Sequence, residues 1–434
     1  MGGALMQLVA YGQQDVFISG NPEISFFQIA YKRHTNFAMQ TIEQATSAGV
    51  PGNSTLITCT IARSGDLVGE MYLELKPLDN LLATSNNVNA SMEWIAERAI
   101  STIELSIGGQ VIDKHYQKWW RLYSELFLGE SKKKLWAKMT SSYSKVYLPL
   151  LFFFNRNPGL CLPIQALTYH EVRVNIELSS VFTTYFDPSV FKVWSNYIFL
   201  DTEERKRLLA VGRDYLIEQV QHTGTDFIDS GTTIVNLHYV NPVKELVWCF
   251  GKGSGTNDYW NTTYPNSVCN MTVSALPIVA SGIVNIPVDP NDVGCPKLLV
   301  TSNTTAQTTR GFWLEDLASN INGTVSVGPL DTFKLTLNGQ DRFVQQPGKY
   351  FNQVQPYQHH TGCPYPGVYC YSFALRPEEH QPTGACNFSR VDAAQAVVSV
   401  KSISGMTPLY MHMFAVSYNV LRIKNGISGL IFYS

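Results

Sequence analysis

The chain has 434 residues, 45% hydrophobic and only 15% charged, with a formal charge of −2. That length accommodates two large β domains with sizeable cores, and its charged fraction is below the usual quarter, which suits a surface that meets other protein. A near-neutral balance excludes a binder that works by neutralising phosphates, and 31 Gly with 21 Pro exclude collagen-like and proline-rich chains.

Met1-Gly2-Gly3-Ala4-Leu5-Met6-Gln7 lacks the basic and long apolar regions of a signal peptide. It also places Met6 where myristoylation needs Ser or Thr. Strand signals then dominate. Met71, Leu73 and Leu75 alternate with Glu70, Tyr72 and Glu74, and Ile103, Leu105 and Ile107 alternate with Glu104, Ser106 and Gly108. Near 115–128, Trp119, Leu122, Tyr123 and Leu126 share one helical face, and a basic helical segment follows from Ser131 to Met139. Val146 to Phe154 is the strongest apolar run, but it contains Pro149 and falls far short of the ~20 residues that span a bilayer. Val172, Val174, Ile176 and Leu178 alternate with Arg173, Asn175 and Glu177; Leu335 and Leu337 repeat the pattern, and Val368 to Phe373 reads as an alternating strand. Turn residues punctuate the strands at Arg63-Ser64-Gly65-Asp66, Asn157-Pro158-Gly159 and Gln346-Pro347-Gly348. Such strands bury one face and wet the other, as in antiparallel sandwiches.

The order of the motifs repeats. Ile42-Glu43-Gln44 recurs as Ile217-Glu218-Gln219. Glu104-Leu105-Ser106-Ile107-Gly108-Gly109-Gln110 recurs as Lys334-Leu335-Thr336-Leu337-Asn338-Gly339-Gln340, with Asp113-Lys114 and Asp341-Arg342 shortly after. Asn157-Pro158-Gly159 to Val172 faces Gln381-Pro382 to Val391, and each half closes on an aromatic-rich strand, Trp194–Leu200 and Phe414–Ile423. The offsets are 175, 230 and 219, so the second copy carries a long insertion, about 251–330, rich in Gly, Ser, Thr and Asn. The first copy carries the helices instead. Glu203-Glu204-Arg205-Lys206-Arg207 marks the junction. The organisation is an arm (1–24), a β domain (25–205) and a second β domain of the same kind (206–434), each the size of an eight-stranded sandwich with decorated loops.

Reactive constellations are weak. Gly251-Lys252-Gly253-Ser254-Gly255 lacks the Ser or Thr after Lys252 and the upstream Gly of a phosphate loop, so it reads as a plain loop. His359, His360, Cys363 and Cys370 cluster, but a C-x6-C spacing with an adjacent His pair is not a usual zinc pattern, and Cys370 reads as a core residue. Glu70 and Glu74 share a strand face, as a glycosidase pair would, without a third polar partner. His170-Glu171 lacks the second His of a zinc protease. No catalytic residue, metal or cofactor is therefore assigned. Lys132-Lys133-Lys134 reads as a solvated helix face, and Tyr31-Lys32-Arg33-His34 as a short basic patch facing a partner or an anionic surface. Eight thinly spread cysteines read as free thiols. Sequons stand at Asn53, Asn89, Asn261, Asn270, Asn303, Asn322 and Asn387, and the last five are the glycosylation candidates.

Leu8-Val9-Ala10-Tyr11-Gly12, Gly20-Asn21-Pro22, Phe26-Phe27 and Tyr31 to Phe37 resemble the amino terminus of the major capsid proteins of nucleocytoplasmic large DNA viruses, those of algal, chlorella-type viruses above all. Ile107 to Tyr116, Pro149 to Asn155, Tyr169 to Val172, Leu337 to Phe343, Cys386 to Arg390 and Tyr418 to Ile423 continue the resemblance in order along the whole chain. It implies an all-β fold of two tandem eight-stranded antiparallel jelly rolls with a few short inserted helices. It further implies a homotrimer, a pseudo-hexameric capsomer that meets neighbouring capsomers in an icosahedral shell, with minor capsid proteins beneath. The long insertion would face outward and carry glycans, and the protein would be made late and assembled in the host cytoplasm. No direct contact with nucleic acid and no transmembrane segment are expected. The rival reading is a minor capsid paralogue, or a jelly-roll module that binds a glycan or receptor on the virion.

Overall fold

Hydrophobic alternation and turn chemistry set the strands of the computed structural model, which describes residues 2–47, 50–78, 95–140, 145–210, 212–228, 231–252, 328–364, 367–400 and 409–432. Sixteen strands carry the architecture. The first eight are β1 (Phe37–Gln44), β2 (Leu56–Thr60), β3 (Leu67–Pro77), β4 (Ile100–Ile107), β5 (Gln110–Tyr116), β6 (Val146–Pro149), β7 (Val172–Leu178) and β8 (Phe186–Leu200). The second eight are β9 (Arg213–Ile228), β10 (Gly231–Asn236), β11 (Pro242–Lys252), β12 (Leu330–Leu337), β13 (Gln340–Asp341), β14 (Val368–Ser372), β15 (Ala394–Val400) and β16 (Leu409–Lys424). Shorter paired segments, such as Thr46–Ser47 and Ile427–Leu430, extend the sheets.

The strands form four sheets, ordered β1-β8-β3-β6 and β2-β7-β4-β5, then β9-β16-β11-β14 and β10-β15-β12-β13. Numbered within each set of eight, both halves read 1-8-3-6 and 2-7-4-5, the strand order of an antiparallel jelly roll. The fold is a double jelly roll.

The matching hairpins close identically. Ile107 lies opposite Gln110 across Gly108-Gly109, and Leu337 opposite Gln340 across Asn338-Gly339. All four turn residues have positive φ, 60° and 84° in the first turn and 49° and 77° in the second, the primed geometry that suits the twist of a two-residue hairpin. The third sequence match is out of step. Val172 pairs with Ile107 and Ala394 with Leu337, so Val172 corresponds to Ala394 rather than to Val391, because the turn before β15 is built differently from the one before β7.

Helices fill the joints. α1 (Gly3–Val9) and α2 (Gln13–Ser19) belong to a separate unit, 1–37, whose described residues are all exposed. α3 (Gln117–Leu126) and α4 (Glu130–Thr140) follow β5, and α5 (Thr202–Ala210) forms the charged junction. α6 (Gln355–His359) precedes β14.

Two cores result. One is built around Trp248, stacked on Phe333 at 4.5 Å, with Phe351 and Tyr369 beside it. The other fills the first jelly roll and continues without a break into Val247, Cys249, Val368, Cys370, Phe414 and Val416 of the second. On β11, Leu246, Trp248 and Phe250 face the second core while Val247 and Cys249 face the shared one; Tyr369 and Tyr371 against Val368 and Cys370 do the same on β14. The expected wet face of β14 therefore does not exist: all five of its residues are buried. Strands covered on both faces lose the alternation that marks a half-exposed sheet.

A Cβ at Gly339 would meet nothing within 4 Å, so Gly339→Ala isolates the backbone strain of the turn. It is expected to lower stability by about 1–2 kcal/mol, read as a lower urea midpoint with unchanged slope.

Candidate functional site: a buried polar seam between the jelly rolls

The shared core carries polar groups where the two jelly rolls meet. β9 is the edge of its sheet, and its open backbone is met by β5: Val220 N donates to Asp113 Oδ1 at 3.0 Å, and the Gln219 side chain donates to Ile112 O. Side-chain acceptors satisfy an edge strand without letting it recruit further strands. The C-terminal hairpin makes a second set of bonds. Tyr169 N donates to Gly426 O at 3.0 Å, Ser428 N to His170 Nδ1 at 3.1 Å and Leu430 N to Gln110 Oε1 at 3.3 Å. His170 is thus an acceptor at a domain contact, and Glu171 beside it pairs with Arg173 at the surface. Neither forms a protease site.

Deeper in, Glu218 of β9 sits between Arg156, 3.0 Å away, and Lys244 of β11. Lys244 also donates to Pro377 O at 2.7 Å. The three border a cavity of about 160 Å³ with Tyr123, Phe127 and His380 on its wall. Burial alone would push the Glu218 carboxyl up, but Arg156 and Lys244 outweigh it and hold the group below the ordinary carboxylate range. Burial lowers the Lys244 ammonium in spite of Glu218. A second buried group lies under α4: Glu97 accepts from Trp136 Nε1 at 2.8 Å, and burial pushes its carboxyl up to about 7 against the pull of Arg121.

The residues singled out in the sequence scatter. Glu74 is buried, bonded to Lys145 at 2.5 Å and to Trp194 Nε1 at 2.8 Å, whereas Glu70 is exposed and contacts Asn196. Their strand-face pair is therefore structural. Lys132 and Lys134 are exposed, but Lys133 reaches Cys363 O at 2.8 Å and pairs with Glu125. Tyr31 to His34 are exposed. Gly251 and Lys252 end β11, and Gly253-Ser254-Gly255 lies outside the described residues. His359 Nδ1 donates to Leu375 O, Cys363 is exposed, and His360 and Cys370 come together with Glu245, 115 residues upstream of His360. The spacing of residues 359–370 could not reveal Glu245; only the pairing of β11 with β14 does. Cys59, Cys161, Cys249, Cys370 and Cys386 are free thiols among the described residues. Asn387 is exposed, but its side chain accepts from Ser389 N at 3.1 Å; Asn261, Asn270, Asn303 and Asn322 lie outside the described residues.

Two tandem jelly rolls joined by a common core place the chain among the double jelly-roll proteins. Comparison narrows the class. The family model for the major capsid protein N-terminus matches residues 25–201, and that for the large eukaryotic DNA virus major capsid protein matches residues 204–429. The chain is 36% identical to the major capsid protein of Paramecium bursaria Chlorella virus 1 and 34% identical to that of Phaeocystis pouchetii virus, each over 100% of both chains. Its fold is similar to that of the PBCV-1 virus capsid, with a TM-score of 0.73 at 31% identity over 94% of this chain and 100% of the other. It also resembles the Faustovirus major capsid protein, with a TM-score of 0.66 at 12% identity over 97% and 96% of the two chains, a likeness of fold. The chain belongs to the large eukaryotic DNA virus major capsid protein family. It is a structural component of the virion capsid and not an enzyme.

Glu218→Gln is expected to cost about 3–5 kcal/mol at neutral pH, because it leaves the buried Lys244 and the half-buried Arg156 facing each other without the carboxylate between them. The folded-state pKa is depressed, so this stabilisation is present above the ordinary value of 4.5 and is lost as pH falls through the folded one. Urea midpoints of variant and parent should therefore converge in acid. Glu97 has the opposite sign: its raised pKa gives stability that is present below 4.5 and is lost as pH rises through about 7. Glu97→Gln should gain about 2–3 kcal/mol on its parent between mildly acid and mildly alkaline buffer, read from the same denaturation curves.

Proposed function

We propose that this chain trimerises into a pseudo-hexameric capsomer that tiles an icosahedral shell. The observation that carries the reading is the exact repetition of strand order in the two halves. Three copies of a duplicated domain present six similar sides, so a closed threefold oligomer fits a hexagonal lattice. The domain division follows the same logic: an arm over 1–24, one jelly roll over 25–205 and another over 206–434. The arm exposes Met6, Leu8, Val9, Phe17 and Ile18, apolar surface that is costly in water and suits contact with a neighbouring capsomer or a minor capsid protein beneath. The insertion at about 251–330 is assigned to the outer surface, with Asn261, Asn270, Asn303, Asn322 and Asn387 as attachment points for glycans. Synthesis late in infection and assembly in the host cytoplasm complete the reading.

Light scattering on a sizing column tests it. The purified chain should run as a stable trimer, three times 48.5 kDa. A strict monomer at high concentration would overturn the capsomer reading and favour a displayed minor paralogue or a glycan-binding module. Removal of residues 1–24 should leave the trimer intact and reduce its association into sheets or shells, scored by electron microscopy; unchanged association would remove the role given to the arm.

A further inference from the structure

Glu245, His360 and Cys370 are brought together from three segments of the second jelly roll. On the paired strands, Val247 lies opposite Cys370 and Glu245 opposite Ser372, so Glu245 and Cys370 are diagonal neighbours on one face of the sheet. It is the face turned toward the first jelly roll, as Val247 and Cys370 of the shared core show. His360 directly follows α6 and completes the group, with Nε2 against Glu245 Oε1. One ligand atom from each residue lies within 4.8 Å of the other two. All three side chains are shut off from solvent.

Two further features give this group the form of a metal centre. His360 Nδ1, the nitrogen pointing away, is 3.2 Å from the Glu378 carboxylate, which is itself fixed by Thr361 N at 2.8 Å. An outer carboxylate that orients a ligating imidazole is the usual support of a metal-bound histidine. Glu245 Oε2 is buried and accepts no hydrogen bond among the described residues. A buried oxygen without a partner is costly and calls for an explanation.

We propose that Glu245, His360 and Cys370 form a structural site for one Zn²⁺ per chain. A sulfur, a nitrogen and a carboxylate suit a borderline-soft ion, whereas Mg²⁺ and Ca²⁺ prefer oxygen alone. One thiolate and one carboxylate neutralise the ion, so the centre can be buried without net charge. Zinc–ligand bonds of about 2.0–2.3 Å put ligand atoms about 3.5 Å apart, which the observed spacing accommodates with small side-chain shifts. Glu245 Oε2 lets the carboxylate hold the ion through both oxygens, which makes four donor atoms from three residues.

The centre would tie β11 and β14 to the loop after α6, and that loop is seated on the first jelly roll. The His360 ring meets Phe127 edge-on at 5.1 Å, and Lys133 of α4 holds Cys363 O. Gly362 approaches the end of α3 so closely that a Cβ would stand 2.6 Å from Glu125 O and Leu126 O. Zinc would therefore staple the two jelly rolls at the seam.

The test uses the full chain, stripped with a chelator and titrated with Zn²⁺ alone or Co²⁺ alone. After desalting, one metal per chain should remain, the cobalt form should show a thiolate-to-metal charge-transfer band, and zinc should raise the melting temperature. Cys370→Ser removes a ligand, so it should weaken metal binding by more than the about 10–100-fold typical of a lost outer-shell partner, and abolish the band. Cys363→Ser, which alters the exposed thiol, should change neither. If Cys370→Ser does not fold, His360→Gln takes its place with the same expected loss of binding. A folded parent chain that retains no metal, or a folded Cys370→Ser that keeps both stoichiometry and band, would overturn the proposal.

Discussion

In the sheet β9-β16-β11-β14 the strands β16, β11 and β14 are buried on both faces along most of their length, and the rest of the molecule follows from covering them. One face packs on its own jelly roll around Trp248, and the other needs a second apolar layer. Helix α3 and the first jelly roll provide that layer: Trp119 of α3 reaches Phe414 of β16 at 5.7 Å. At about 25 cal/mol per Å² of apolar surface removed from water, a whole sheet face is a large driving force. Exposed, the same face would be a contiguous apolar patch prone to uncontrolled association.

Hydrophobic contact does not fix orientation, and the polar seam adds that. The bonds from Val220 to Asp113, from Tyr169 to Gly426 and from Ser428 to His170 each have one productive geometry. The Glu218 carboxylate pairs with the buried Lys244 and with the half-buried Arg156. Sliding one jelly roll past the other would strand charge in a dry environment, a penalty of several kcal/mol per ion. A subunit that must repeat the same contacts many times in a shell benefits from that rigidity.

Much of this was legible in the sequence, for identifiable reasons. Half-exposed strands such as β7 announce themselves, since Val172, Val174, Ile176 and Leu178 are buried and Arg173 is exposed. The α3 face was visible because Trp119, Leu122 and Leu126 repeat at helical spacing and are buried, and the two primed hairpins because Gly-Gly and Asn-Gly leave few other conformations. β14 was misread because its second face is covered by another domain, which no local pattern reports. The sequence marks the helices of the first copy only as an insertion, and the structure makes them the cover for β11 and β16. Glu218 stood in the sequence as part of a repeat match, yet nothing local showed that Arg156 and Lys244 would flank it. Glu245 was invisible for the same reason: its partners are set by strand pairing and not by spacing.

The central claim is that the two jelly rolls share one core and so behave as one cooperative unit. Hydrogen exchange across a urea series, read by mass spectrometry on peptides from β3 and β11, tests it most directly. The shared core predicts that both strands lose protection at the same denaturant concentration. Loss of protection in β11 while β3 stays fully protected, or the reverse, would contradict it.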